Sequence, residues 1–232
     1  MTWQDRAATL PTWEPPARPG RAAVVIAHPD DETLALAGPV AALARAGWRL
    51  DLLVLTDGEA AYPEADGDAR ARLALVRRGE LASAWRVLTG TAGCPPTFAG
   101  LPDSGLVDRP DDVRRAVARA VRDVDLALGL WPGDPHPDHA AAGSALVRAT
   151  GSAGVQAFVA PLWSLVWWQV DDPRQPWGPA TRVVLDAAAA SRRQRALAAH
   201  ASQVRGFEGY PPLVGTAEVE ALLGRDGLLV PT

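Results

Sequence analysis

Three of the four histidines of this chain lie in two short polar motifs, HPDDE at residues 28–32 and HPDH at residues 136–139. Imidazoles and carboxylates are good zinc ligands, and two imidazoles with one carboxylate leave a fourth coordination position open for water. The motifs hold more acids and imidazoles than three ligands require. Such spare groups are what a hydrolytic site needs as a base and as an oxyanion stabiliser. These residue types therefore indicate a hydrolytic metal site.

Helix capping is the structural alternative for each motif. Asp31 and Asp138 lie two residues and one residue after a proline, respectively, and precede a helical pattern, where a carboxylate can accept hydrogen bonds from free amides and interact favourably with the helix dipole. The presence of two such motifs at equivalent strand ends, together holding most of the histidines, favours the metal site over capping alone.

Short apolar runs alternate with helical patterns around these motifs. The predicted strands are 22–27, 49–56, 96–98, 124–130, 155–161 and 182–185, and the predicted helices are 33–46, 68–88, 111–121, 140–149 and 188–201. This alternation predicts an α/β fold, Rossmann-like and doubly wound, with a mostly parallel sheet and helices on both faces of a single domain. Ligands bind where the strand order of such a sheet reverses, and the motifs follow its first and fourth strands.

The N-terminal twenty residues differ from the rest. Four prolines between Pro11 and Pro19 and two tryptophans predict an extended, proline-rich arm, residues 1–20, that lies over a domain of residues 21–232.

Composition excludes several classes of protein. Hydrophobic residues make up 48% of the 232 residues and charged residues 22%, as in soluble globular proteins. One cysteine, Cys94, permits no internal disulfide or thiolate cluster. The absence of lysine excludes a Schiff base and a Gly-Lys-Ser/Thr phosphate loop, and together with the absence of asparagine it is typical of a GC-rich bacterial genome.

Charge and hydropathy also limit the partners and the location. A net charge of −4 offers no general attraction to nucleic acid or anionic lipid. No apolar run of about 18 residues could span a membrane, and the N-terminus lacks the apolar segment of a signal peptide. We therefore expect a cytoplasmic protein that binds neither nucleic acid nor membranes; a homo-oligomer is compatible with the sequence.

The two motifs, together with several other segments, resemble the signatures of the PIG-L/LmbE-type superfamily of zinc-dependent deacetylases of N-acetylglucosamine conjugates. The matching segments, which span roughly residues 22–203, are AHPDDETL at 27–34, TDGE at 56–59, Arg77 with Glu80, Leu81 and Ala84, LPDSGL at 101–106, HPDH at 136–139, and His200 with Ser202 and Gln203. The resemblance implies that His28, Asp31 and His139 are the metal ligands. Zn²⁺ is the implied ion, and Fe²⁺ suits the same donors.

The resemblance also assigns catalytic roles. Asp30 would be the general base that activates the attacking water and could return the proton to the leaving amine. Protonated His136 would stabilise the oxyanion, and Asp138 would orient His136 and raise its pKa. An ionised base beside a protonated imidazole predicts a bell-shaped dependence of the rate on pH.

Substrate contacts are implied for Arg77 and Asp103, whose family counterparts contact sugar hydroxyls or an attached phosphate. Arg77 could instead pair with Glu80 on its own helix. Trp131, or a tryptophan of the 163–168 segment, is predicted to line the cleft, with core packing as the alternative. His200 is interpreted as a packing or dipole-satisfying residue at a helix end, and Glu32 as structural.

The predicted function is a hydrolase that removes an acetyl or another small acyl group from the amine of an N-acetylglucosamine-type sugar conjugate. The alternatives are a zinc amidase acting on a different amide, such as a thiol conjugate or an antibiotic-type N-acyl substrate, and a non-catalytic sugar- or metal-binding module. A Rossmann-like nucleotide binder is disfavoured because HPDDE places acids where phosphates would sit.

Overall fold

The computed structural model describes residues 1–215, 222 and 227–232. The rest of the predicted domain, residues 216–221 and 223–226, lies outside the described residues. The strands are β1 (Arg21–Ile26), β2 (Arg49–Thr56), β3 (Thr97–Leu101), β4 (Leu126–Leu130), β5 (Gln156–Ala160), β6 (Thr181–Val183) and β7 (Gly227–Pro231). The helices are α1 (Trp3–Ala8), α2 (Asp31–Leu34), α3 (Ala37–Arg45), α4 (Gly67–Thr89), α5 (Pro110–Ala120), α6 (Pro137–Ala153), α7 (Ser164–Trp167), α8 (Ala187–Ala199) and α9 (Ala201–Arg205), with a 3₁₀ turn at Leu106–Asp108.

The described strands form one sheet in the order β3-β2-β1-β4-β5-β7-β6. The pairs from β3 to β5 are parallel, and β7 runs antiparallel to both β5 and β6. The strand order reverses between β1 and β4, so the loops that follow these two strands emerge side by side. The predicted doubly wound, mostly parallel α/β fold is confirmed.

Each face of the sheet is covered by helices because successive strand residues point to opposite sides. On one side, Val24 and Ile26 of β1 pack with apolar residues of α3, α4 and α8. On the other side, Val25 of β1 packs with apolar residues of α5 and α6. The strand ends are therefore fixed from both faces, and this rigid frame holds the two motif loops.

The helix predicted over residues 33–46 is in fact two helices, α2 and α3, separated at residues 35–36. A helix that continued through this point would lack the amide of Pro39 and would place its ring against the carbonyl of Ala35. In the structure Pro39 lies in the first turn of α3, where an amide has no helical partner in any case.

The N-terminal segment is not wholly extended, contrary to the prediction. Residues Trp3–Ala8 form α1, which begins with a capping box between Thr2 and Asp5. The chain is extended beyond Pro11, where Trp13 is buried against Phe158 with ring centroids 5.8 Å apart. The sequence analysis also missed β7, whose five residues carry too short an apolar pattern to be assigned alone. Within the described residues, no helix is both long and apolar enough to cross a membrane.

Candidate active site

The backbone at Asp30, directly after β1, is strained. Its φ of 141° with ψ of −22° lies outside the regions that non-glycine residues usually adopt. The conformation is held because the carbonyl oxygen of Asp30 accepts hydrogen bonds from Thr33 and Leu34, while its amide donates to Glu32. Strain of this kind costs about 1–3 kcal/mol and is typically found at functional sites.

Asp31 lies close to both of the other predicted metal ligands. Oδ1 of Asp31 lies 3.2 Å from Nε2 of His139, and Oδ2 lies 3.7 Å from Nδ1 of His28. Oδ2 also accepts hydrogen bonds from the amides of Ala27 and His28. Asp31 thus caps its loop and faces both imidazoles, so that its capping role and its proposed ligand role are compatible.

The other side of His28 faces two further carboxylates. Its Nε2 lies 3.2 Å from Oδ1 of Asp103 and 3.3 Å from Oδ2 of Asp138. Asp138 also accepts hydrogen bonds from the amides of Ser104 and Leu106. The prediction that Asp138 orients His136 is therefore wrong: Asp138 contacts His28 and fixes the loop that carries Asp103.

His136 packs among other imidazoles. Its ring centroid lies 4.6 Å from that of His139 and 4.9 Å from that of His28, and its Nδ1 has no hydrogen-bond partner among the described residues. Burial lowers the pKa of His136 to about 4, and the positive charges of His139 and His28 add to this effect against the weaker opposition of Asp31 and Asp138. Asp138 therefore acts on this pKa in the predicted direction, but burial and the neighbouring imidazoles outweigh it.

The electrostatics of the cluster favour a bound cation. Burial by itself would lower the pKa of His28, but its hydrogen bonds with Asp103 and Asp138 and the charge of Asp31 raise it to about 10. Likewise the charge of Asp31 and contacts with Asp134 and Asp31 outweigh burial and raise the pKa of His139 to about 9. The carboxylates thus stabilise positive charge at the two imidazoles. A divalent ion bound to these side chains would supply that charge in place of protons. Neither ring nitrogen of His139 makes a well-formed hydrogen bond among the described residues. This also fits a site that binds a cation.

The structure adds a residue that the sequence analysis did not select. Asp134 is buried, and its Oδ1 lies 3.3 Å from Nδ1 of His139. Its Oδ2 accepts hydrogen bonds from the amides of Leu162 and Trp163, each 2.9 Å long. A carboxylate behind a metal-binding imidazole fixes its tautomer and orientation. A signal was available, since Asp134 is an acid in the loop that leads into HPDH.

The side chain of Arg77 extends from the middle of α4 and contacts Asp30. It donates hydrogen bonds to the carbonyl oxygens of Gly58 and Pro29, both 2.8 Å, and to Oδ2 of Asp30 at 3.3 Å. The alternative pairing with Glu80 does not form: Glu80 instead accepts two hydrogen bonds from Ser202. Burial raises the pKa of Asp30 to about 6, and the charge of Arg77 opposes that rise.

A second buried pair lies behind the strained loop. Nε2 of His200 lies 2.8 Å from Oε1 of Glu32, and neither side chain is exposed to solvent. Glu32 also accepts hydrogen bonds from Asp30 and Thr33. The interpretation of Glu32 as structural agrees with these contacts, whereas His200 is more than a helix-end packing residue because it ties α8 to the motif loop.

A solvent-connected cavity of about 470 Å³ opens over this cluster. Every predicted metal, catalytic and substrate residue lines it except Asp138 and Trp131. Trp131 lies elsewhere, with its ring edge-on to Trp168 at 6.3 Å. The tryptophans that do line the cavity are Trp163 and Trp167.

Comparison with known proteins identifies the family. Residues 23–150 match PIG-L, described as GlcNAc-PI de-N-acetylase. The chain is 32% identical to 1D-myo-inositol 2-acetamido-2-deoxy-alpha-D-glucopyranoside deacetylase 2 of Saccharopolyspora erythraea over 88% of this chain and 77% of that protein. It is 30% identical to the corresponding deacetylase of Rhodococcus opacus, over 79% and 82% of the two chains.

A solved structure shares the fold. A deacetylase of the teicoplanin biosynthesis pathway superposes with a TM-score of 0.66 at 18% identity, over 91% of this chain and 97% of that one. The resemblance drawn from the sequence motifs is confirmed. The chain belongs to the PIG-L family of de-N-acetylases.

Proposed function

We propose that this protein is a cytoplasmic, zinc-dependent deacetylase that hydrolyses the N-acetyl group, or another small N-acyl group, of an N-acetylglucosamine-type conjugate. The observation that carries the proposal is the convergence of His28, Asp31 and His139 with Asp30 and His136 in one cavity at the strand-order reversal. The named activities of the relatives support the same reaction.

His28, Asp31 and His139 would hold the ion, with Asp134 supporting His139 from behind. Zn²⁺ suits two imidazoles and one carboxylate, and it would supply Lewis acidity that polarises the acyl carbonyl and acidifies water. Asp103 and Asp138, on the far side of His28, hold its ring in place.

Asp30 is the proposed general base. Its carboxylate is buried within the cavity wall, and Arg77 favours its ionised form. Asp30 accepts a proton from the attacking water and donates it to the nitrogen of the leaving amine as the C–N bond breaks. Asp30 directly precedes α2, but its side chain makes no capping hydrogen bond with that helix.

His136 is the proposed stabiliser of the oxyanion. It lies at the cavity wall with Nδ1 free of hydrogen bonds among the described residues. A negative charge developing beside the ring favours the imidazolium form, so His136 that has taken a proton from solvent would donate a hydrogen bond to the oxyanion and keep that proton throughout the reaction.

The test is release of primary amine and acetate from N-acetylglucosamine conjugates, measured for zinc-loaded protein, chelator-treated protein and chelator-treated protein to which Zn²⁺ is restored. We expect activity that is lost on chelation and regained with Zn²⁺. Protein that retains bound zinc but releases no amine from any N-acetylglucosamine conjugate would overturn the proposed substrate, and release that is unchanged by metal removal would overturn the proposed chemistry.

A further inference from the structure

The outer wall of the cavity is apolar and aromatic, in contrast to its charged floor. Trp163 and Trp167 stack on each other with ring centroids 5.1 Å apart and ring planes inclined by only 18°. Leu213, Val214 and Pro63 line the same cavity. Trp167 is 53% exposed, which is unusual for so large an apolar side chain.

The tryptophan pair is fixed relative to the candidate metal site. Trp163 directly precedes α7 and Trp167 ends it, so the short helix holds both rings on one side. The amides of Leu162 and Trp163 are bound by Asp134, whose other oxygen faces His139. One buried carboxylate thus ties the aromatic wall to a proposed metal ligand, which makes the wall a preorganised surface rather than a loose loop.

The part of the cavity lining formed by Leu213 and Val214 is also held in place. Tyr62 stacks on Tyr210 with centroids 4.6 Å apart, and its hydroxyl donates to the carbonyl oxygen of Pro211. The amides of Leu213 and Val214 both donate to the carbonyl oxygen of Gln203. These contacts join the loop after β2 to the loop after α9, and both loops border the cavity.

Outside the histidine cluster, the described residues that line the cavity offer no free positive charge. Besides the histidines, the one cationic residue of the described lining is Arg77, which is 4% exposed and bound to two carbonyl oxygens and Asp30. The floor carries the carboxylates of Asp30, Asp31 and Asp103. Away from the proposed metal site and its histidines, a phosphate or carboxylate on the aglycone would therefore have no ion-pair partner among the described residues that line the cavity.

We infer that the rim formed by Trp163 and Trp167 is a binding subsite for an uncharged aglycone with a flat apolar or aromatic face. This inference rests on the proposed function, because it describes the group attached to the sugar whose amide is hydrolysed. An aromatic face offers the exposed indole a stacking partner, while the sugar amide reaches the carboxylates and imidazoles on the floor.

The test compares amine release from three conjugates of N-acetylglucosamine: the phenyl glycoside, the methyl glycoside and the 1-phosphate. For zinc-loaded wild type we expect kcat/KM to be about three- to tenfold higher for the phenyl than for the methyl glycoside, with most of the difference in KM, and lowest for the 1-phosphate. Trp167→Ala should bring the phenyl-to-methyl ratio towards one. Trp168→Ala is the matched control. Trp168 packs on Trp131 and Arg174 and is not among the described residues that line the cavity.

Three results would overturn the inference while leaving the proposed deacetylation intact: a preference for the 1-phosphate, equal use of the two glycosides, or a ratio unaffected by Trp167→Ala.

Calorimetric titration of zinc-loaded protein with the phenyl and methyl glycosides separates the two proposals. Tighter binding of the phenyl glycoside that Trp167→Ala abolishes would support the subsite even if no amine were released, whereas equal affinities would contradict it directly.

Discussion

Oδ1 of Asp134 lies 3.3 Å from Nδ1 of His139, on the opposite side of the ring from the Nε2 atom that faces Asp31. The negative charge of a carboxylate in this position favours the tautomer with the proton on Nδ1, which leaves the Nε2 lone pair available to a metal ion. The relationship explains how a residue outside both sequence motifs contributes to the site.

Asp134→Asn should weaken binding of Zn²⁺. The amide oxygen can still accept from Leu162 and Trp163, but an amide nitrogen facing Nδ1 favours the tautomer with the proton on Nε2. We expect a loss of affinity of about ten- to a hundredfold, measured by competition with a chromogenic chelator. Asp57→Asn is the control, because Asp57 pairs with Arg78 at the same edge of the sheet. Equal affinity of Asp134→Asn and wild type would exclude this supporting role.

Arg77→Met should move the acidic limb of the pH dependence of kcat/KM to higher pH. Asp30 acts as a base only when ionised, and Arg77 lowers its pKa, so removing the guanidinium raises the pH at which activity falls. A shift of about one unit or more is expected, since a cation at this distance changes a carboxyl pKa by about one to three units.

Two further variants control this experiment. Arg77→Lys retains a positive charge and should keep the limb closer to that of wild type, and Arg78→Met removes a half-exposed guanidinium bound to Asp57 instead. All forms carry the same metal, and Arg77→Lys separates the effect of the charge from the loss of the hydrogen bonds to Gly58 and Pro29. Superimposable profiles for Arg77→Met and wild type would show that Arg77 does not act on the general base.

Gly143→Ala should destabilise the fold. A Cβ atom at this position of α6 would overlap the carbonyl oxygen of Leu130 and lie 2.7 Å from the nitrogen of Pro132, both of them backbone atoms that cannot turn aside. We expect a loss of about 1–3 kcal/mol in the free energy of unfolding, measured by urea denaturation.

Gly151→Ala is the matched substitution in the same helix. Nothing lies within 4 Å of a Cβ there, and alanine is the better helix former, so a gain of about 0.5–1 kcal/mol is expected. If both substitutions changed stability equally, the close packing of α6 against the end of β4 would not be what requires glycine at 143.

The sequence predicted the elements whose signals are local. The strand predicted over residues 49–56 matches β2 at both ends, because its apolar run is bounded by Gly47 on one side and by Asp57 and Gly58 on the other. The antiparallel strand β7 has only five residues, and it pairs with β5 and β6, which lie far from it in sequence. Its position depends on long-range pairing, which a local pattern does not contain.

The site shows the same division. Motif position and sheet topology were sufficient to bring His28, Asp31 and His139 together. The partner of Asp138 was not predictable, because it depends on how the loop of Ser104 and Leu106 folds over the start of α6. The burial of Arg77 was not predictable either, because the sequence of a helix does not show which carbonyl oxygens an arginine side chain will bind.

The most direct test of the account is amine release by Asp30→Asn, measured beside wild type with the zinc content of both proteins determined. Asparagine keeps the size of the side chain but cannot take the proton. We predict that kcat falls by about 10²- to 10⁴-fold while one zinc ion per chain is retained. Zinc-loaded Asp30→Asn with kcat within a factor of two of wild type would contradict Asp30 as the general base, and with it the proposed mechanism.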